Sequence, residues 1–361
     1  MKKNSTCFFG IGFLLAALLC FGFSPSVFAA EAIIIDHTCT DINQIPTYWL
    51  EKAKDLALHY AHTSHGSQIN TGILNLESQN PFYSVAVRVG STAGLPPIED
   101  PPALRIYDGN PPETYIEPND YWDGISGQNR TRAVANTGDY DFSMWSWCGQ
   151  VSGGTESYIQ SYLVTLNQFE TEYPAMRFIY MTGHLDGSRS YGNLHLRNEQ
   201  IRAYCIANNK VLFDFADIER YDPDGNDYLD LGADDGCNYD GGNWADEWCA
   251  AHPGSELCAA CSCAHSKSLN CNQKARAFWW MMARLAGWNP NVCTGDLNGD
   301  YQCNMQDWLL FGADWNRTDC GTPPGSGDSP NDCECDLNMD GGCDMLDWLL
   351  FAQDWGRTDC P

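Results

Sequence analysis

The strongest constraint on this 361-residue chain is an internal duplication near its C-terminus, with a spacing of 40 residues. Asp296-Leu297-Asn298-Gly299-Asp300 recurs as Asp336-Leu337-Asn338-Met339-Asp340, and Asp307-Trp308-Leu309-Leu310-Phe311 recurs as Asp347-Trp348-Leu349-Leu350-Phe351. Cysteines keep the same step, with Cys293, Cys303 and Cys320 matched by Cys333, Cys343 and Cys360. A duplication in this register is one supersecondary unit used twice. Each copy alternates oxygen-bearing side chains and then turns apolar, which predicts a loop followed by a helix.

Oxygen ligands at loop positions 1, 3, 5, 9 and 12, with a backbone carbonyl at 7, suit a hard Ca²⁺ ion. The first copy offers Asp296, Asn298, Asp300, Asn304 and Asp307, with the carbonyl of Gln302. The second offers Asp336, Asn338, Asp340, Asp344 and Asp347, with the carbonyl of Gly342. These tandem loops, each followed by one helix, resemble a type I dockerin domain over residues 293–361. The resemblance implies bound Ca²⁺ and docking onto a cohesin-type module or a cell-surface component, often in the service of a carbohydrate-active enzyme. Position 6 departs from the family glycine in the first loop, where Tyr301 stands, and keeps it in the second, as Gly341. The paired cysteines point to a disulfide-braced variant. A third run, Asp222, Asp224, Asn226, Tyr228 and Asp230, has the same alternation and reads either as a third calcium site or as a Gly-containing turn.

Acidic residues number 47 against 20 Lys+Arg, for a formal charge of −27. That balance lacks the clustered cations that phosphate recognition requires, so no nucleic-acid partner is expected. Residues 293–361 alone carry 14 Asp/Glu and two Arg. At the other end, Lys2 and Lys3 precede an uncharged run from Phe8 to Phe23, and Val27-Phe28-Ala29 fits a small-x-Ala cleavage pattern. Residues 1–29 therefore read as a signal peptide of an exported protein, with no membrane span after cleavage. An uncleaved anchor is the alternative. Export places the remaining 16 cysteines in an oxidising compartment, where disulfides form. Nine lie between Cys39 and Cys271 and seven between Cys293 and Cys360. Two odd subsets predict one bridge between them. Zinc is the rival reading for Cys258, Cys261, Cys263 and Cys271.

Between residues 30 and 290, short apolar runs alternate with helical patterns. Leu56–Tyr60, Phe142–Trp147, Met176–Met181 and Lys210–Phe215 read as buried strands; 156–170, 193–208 and 272–285 read as helices. The fold class this implies is α/β, a three-layer parallel sheet with ligands beyond the strand C-termini. Residues 91–140 read as a long insertion over that edge. The strand-end loops carry His62-Thr63-Ser64-His65-Gly66, Cys148-Gly149-Gln150, Thr182-Gly183-His184-Leu185-Asp186, and Cys263-Ala264-His265 before the last helix.

A Ser, a Gly, an amide and a His in this order are similar to the SGNH (GDSL-type) hydrolase superfamily, a flavodoxin-like fold, over roughly 33–288. The resemblance implies Ser64 as nucleophile, His265 as base, and Gly90 and Gln150 as oxyanion donors. The GDS triplet is His62-Thr63-Ser64 here, and the Asp that usually precedes the base by three is Ser262, so either a backbone carbonyl or an Asp from elsewhere, such as Asp246, would have to orient His265. The expected reaction is ester hydrolysis, with an acylated polysaccharide as the carbohydrate substrate. His62, His65, His184 and Asp186 are further cleft candidates, and the His-x-x-His pair with His184 supports a metal-dependent hydrolase as a rival. A non-catalytic carbohydrate-binding or scaffold protein on a degenerate hydrolase fold is the other. Trp145, Trp147, Tyr121 and Trp122 are candidates for a sugar-stacking platform.

Overall fold

The computed structural model describes residues 31–290, 293–320, 333–338, 340–357 and 360. The expected signal peptide lies outside them. Seven strands, β1 (Ile33–Ile35), β2 (Ala57–His62), β3 (Val85–Val89), β4 (Leu104–Asp108), β5 (Phe142–Ser146), β6 (Arg177–Met181) and β7 (Val211–Phe213), form one sheet in the order β1-β7-β6-β5-β2-β4-β3. Every pairing in it is parallel. Parallel strands need crossovers, and the chain supplies helices for most of them. These are α1 (Thr47–Ala53), α2 (Ser67–Gln79), α3 (Gly124–Ala135), α4 (Gln150–Gly153), α5 (Glu156–Glu172), α6 (Asn193–Ala207), α7 (Phe215–Arg220), α8 (Trp244–Ala251) and α9 (Ser268–Ala286). A two-stranded hairpin, β8 (Asn238–Tyr239) with β9 (Gly242–Asn243), precedes α8. The α/β class expected from the alternation is therefore present.

All six residues of β2 and all five of β5 are buried, as strands covered on both faces must be. This is why they show no alternation of buried and exposed positions, and why even their polar members His59, His62, Ser143 and Ser146 are buried. The 91–140 segment is more structured than an insertion, because it contains β4 and α3. Pro101 and Pro102 before β4, and Pro111 and Pro112 after it, hide that strand in the sequence. The proposed aromatic platform is core instead: Tyr121, Trp122, Trp145 and Trp147 are at most 1 % exposed. Trp145 and Trp147 meet edge to face at 4.9 Å, and Tyr162 packs on Trp147 at 4.6 Å. Their N–H groups donate to the carbonyls of Ile116 and Met181, so the burial leaves them paired.

Two buried polar groups of this core are paired as well. His59, fully buried, joins Ser143 Oγ on β5 and the carbonyl of Gly109 after β4, each at 2.8 Å. Burial pushes its pKa down to about 4, so it serves as a neutral cross-strand tie. Lys274 and Glu219, both wholly buried, meet at 2.6 Å.

The C-terminal duplication folds as read, each loop leading into one helix, α10 (Met305–Ala313) and α11 (Met345–Asp354). Both helices start with a capping box, Asn304 with Asp307 and Asp344 with Asp347, which satisfies amides that would otherwise lack partners. Phe311 and Phe351 pack at 4.9 Å between them.

Among the described residues the disulfides are Cys249–Cys258, Cys263–Cys271, Cys293–Cys360, Cys320–Cys333 and Cys335–Cys343. No bridge joins the two cysteine subsets, so the parity expectation is corrected: the odd members are free thiols, Cys303 in the C-terminal set and Cys148 among those of the first. The zinc reading is corrected too, because Cys258, Cys263 and Cys271 are spent on bridges.

Candidate functional site

The loops that follow β2, β5 and β6 lie side by side, because those strands are neighbours in the sheet. The β2 loop turns back so tightly that a Cβ on Gly66 would sit 2.3 Å from His62 Cβ and 2.7 Å from Ser146 Cβ. Only glycine fits, and that close approach presents His65 to the β5 loop. There His65 Nδ1 lies 3.1 Å from Cys148 Sγ, while its Nε2 lies 2.9 Å from Asp235 Oδ2. His184, from the β6 loop, stacks on His65 with ring centroids 3.7 Å apart. The ligand atoms of His65, Cys148 and His184 fall within 4.8 Å of one another. His265 stacks against His65 at 4.5 Å.

The electrostatics follow from this packing. The His184 and His65 imidazoles beside Cys148 pull its thiol down from 9.0 to about 4, against the opposing effect of burial. For His65, burial works against the charged ring, yet Asp235 and Cys148 outweigh it and raise its pKa to about 9. Asp235 is raised by burial, but its bond to His65 prevails and its pKa is lowered. All three shifts describe one arrangement, a thiolate beside an imidazolium backed by a carboxylate. Such a thiolate is nucleophilic at neutral pH.

A buried network holds the loops in place. Glu219 Oε2 accepts from the Leu185 N–H at 2.7 Å, and Leu185 O accepts from His184 Nδ1 at 2.8 Å. Lys274 Nζ donates to Glu219 Oε1 and to Gln68 Oε1. Gln68 Nε2 in turn donates to Ala264 O at 2.6 Å, next to His265. His265 itself has φ 62°, a left-handed conformation that costs about 1–2 kcal/mol in a non-glycine residue.

The sequence-predicted residues distribute unevenly. Ser64 reaches the cluster, with Oγ 3.9 Å from Cys148 Sγ, and no hydrogen bond joins it to His265 among the described residues. Asp246, offered as a partner for His265, pairs with Lys267 at 2.6 Å. Gln150 adjoins Cys148: its Oε1 accepts from the Cys148 N–H at 2.8 Å and its Nε2 donates to Glu117. Gly90 directly follows β3, the edge strand, where its N–H donates to Asp108 O and its carbonyl accepts from Tyr107. His62 turns away from His65 toward Asp108 and Asn70, so the His62/His65 metal pair does not form. Asp186 caps its own turn by accepting from the Ser188 N–H.

Nothing in the sequence singles out Asp235, and Cys148 is marked there only by its place in a strand-end loop. The odd cysteine count between residues 39 and 271 was the available signal for a free thiol.

In the C-terminal loops, Asp296, Asp300 and Asp307 converge within 4.8 Å. Asp307, Asp336 and Asp347 are fully buried carboxylates. Burial raises the Asp347 pKa, helped by Asp336 and Asp340 and opposed by backbone N–H donors. Buried acids of like charge fit a loop built to enclose a cation. Tyr301 and Gly341, at equivalent positions, both have positive φ, 66° and 91°. The Asp222 run differs: Asp222 is saturated by Asn226 and Tyr228, Asp224 accepts from Trp248, and Asp230 accepts from the Ser190 N–H. Its carboxylates are not among the described groups whose ligand atoms converge.

No helix among the described residues is long and apolar enough to cross a membrane. The chain matches no family model, no curated protein and no solved structure.

Proposed function

We propose that the chain is an exported acyl-transfer hydrolase whose nucleophile is Cys148, with His65 as acid–base and Asp235 as its orienting carboxylate. The observation that carries this reading is the unbroken line from Sγ to Nδ1 at 3.1 Å and from Nε2 to Oδ2 at 2.9 Å. It is the arrangement of nucleophile, base and orienter that acyl transfer requires, here with sulfur in place of oxygen. The Cys148 thiolate attacks an acyl carbonyl to form a thioester. The bond to the leaving alcohol breaks, and the alcohol takes the His65 proton. Water, losing a proton to His65, then cleaves the thioester and restores the thiolate. Ser64, close to sulfur, takes the role of an O–H donor to the developing oxyanion rather than that of nucleophile. The placement at the C-terminal edge of a parallel sheet supports an SGNH-like ancestry with a changed nucleophile.

The C-terminal module, on this reading, binds two Ca²⁺ ions through the residues of its two loops and is dockerin-like. Met305, Leu309, Met345 and Trp355 are exposed along α10 and α11, which favours a protein partner such as a cohesin-type module. An acylated polysaccharide remains the substrate that suits such an assembly. The test is hydrolysis of a panel of acetylated polysaccharides and aryl esters. Cys148→Ala should abolish turnover while Ser64→Ala retains a measurable part of it. Full activity in Cys148→Ala, or complete loss in Ser64→Ala alone, returns the nucleophile to Ser64.

A further inference from the structure

The hydrogen bonds on the far sides of two imidazoles imply something more. His184 Nδ1 faces the Leu185 carbonyl, which can only accept, so that nitrogen carries the proton. His65 Nε2 faces a carboxylate, which fixes its proton in the same way. In their neutral forms both rings therefore turn a lone pair toward Cys148, whose sulfur has at most one proton to share. Three donor atoms converge on a point that wants a cation. Imidazoles braced from behind by a carbonyl and a carboxylate are also how metal-ligating histidines are held.

We propose that His65, Cys148 and His184 bind a borderline-soft divalent ion of the Zn²⁺ type, and that this ion caps the nucleophile until it is removed. The capping part rests on the assignment of Cys148 above. Two nitrogens and one thiolate match the donor preference of Zn²⁺, and three protein ligands leave a fourth position open. Tetrahedral bonds of ordinary length would set the sulfur-to-nitrogen edge at about 3.6 Å. The present 3.1 Å between Sγ and His65 Nδ1 needs only a small outward adjustment. Each coordinating nitrogen gives up any proton it holds as the ion enters. The thiolate, once it has given a lone pair to the metal, is a much weaker nucleophile toward a carbonyl. An exported enzyme with a free thiolate gains protection from oxidation by this means.

Co²⁺, used as a Zn²⁺ stand-in, reports the site through its sulfur-to-cobalt charge-transfer absorption. The titration uses the full chain in excess Ca²⁺, so that the acidic loops are filled. One equivalent with that band is expected in the wild type and none in Cys148→Ser. His184→Ala should bind at least about tenfold more weakly, and Asp235→Asn about 10–100-fold more weakly. No band in the wild type, or a band that survives Cys148→Ser, overturns the site. Iodoacetamide labelling of the metal-free chain separates the two assignments. Labelling at Cys148 without a cobalt band removes the metal and leaves the nucleophile. A band without labelling keeps the metal and removes the nucleophile. Labelling that stoichiometric Zn²⁺ fails to suppress overturns the capping.

Discussion

Alkylation of Cys148 should have a pH profile that an ordinary thiol cannot imitate. With its pKa pulled down to about 4 from 9.0, the group is almost wholly thiolate above about pH 5. An ordinary thiol at pH 5 is ionised only to about one part in 10⁴. Ionisation is not the whole effect, because a thiolate loses nucleophilicity as its pKa falls, with a Brønsted slope of about 0.5. Five pH units then cost a factor of about 300 in intrinsic reactivity. The balance makes Cys148 about 30-fold faster than an exposed reference thiol at pH 5 and about 30-fold slower at pH 8, with a crossover near pH 6.5. The sign follows from the thiolate being the reactive form: its supply is already complete at the acid end and cannot grow as pH rises. Partial burial of Cys148 lowers the whole curve without bending it. The assay is the rate of iodoacetamide labelling at the Cys148 peptide of metal-free chain, followed by mass spectrometry against a cysteine peptide. A rate that climbs tenfold per unit from pH 6 to pH 8 would refute the ion-pair reasoning, whatever its absolute size.

Three other outcomes follow from specific contacts. Lys274→Met leaves Glu219 buried without its partner and should cost about 3–5 kcal/mol, read from the denaturation midpoint; adding Glu219→Gln should recover part of that loss. A cost below about 1 kcal/mol, or simple additivity, means the pair is not coupled. Tyr301→Gly relieves a left-handed residue whose side chain is 64 % exposed, and should stabilise the Ca²⁺-loaded module by about 1 kcal/mol; a lower melting temperature would show that the tyrosine ring matters more than its backbone. Gly295 stands where the second repeat has Cys335, and a Cβ there would lie 2.5 Å from the free Cys303 sulfur. Gly295→Cys should therefore close the bridge that Cys335–Cys343 makes in the other copy, for about 2.5 kcal/mol, detected as loss of the Cys303 thiol; two alkylatable thiols would contradict it.

Strands β2, β5, β6 and β7 were legible as short runs rich in apolar and aromatic residues, although β2 and β5 also bury His59 and Ser143. β4 was not, since the prolines flanking it imitate a loop, and the two edge strands β1 and β3 were not read from the sequence either. Three of the four loops that frame the site were also legible, being the segments that end those runs. What stayed hidden was which side chains meet. Strand order decides that the β2 loop faces the β5 loop, and order is a property of crossovers, not of any local pattern. Asp235 sits in Asp234-Asp235-Gly236, a composition indistinguishable from other acidic turns in this chain. The proposed calcium loops needed no tertiary information, because all the candidate ligands of each lie within one short segment.

The pairing of the cysteines bears on how such a chain reaches its native state. Four of the five bridges link residues only 8–13 positions apart. Each can close as soon as its own segment has emerged, and all seven strands of the sheet precede the first of these segments in the chain. Only Cys293–Cys360, 67 residues apart, must wait for the C-terminus. The sheet carries no covalent staple, so Cys148 is left to find its histidines by packing alone. An oxidant acting before that packing is complete would meet the same thiol as a stray partner for a neighbour's bridge. Packing of the sheet ahead of disulfide exchange is what would keep Cys148 free.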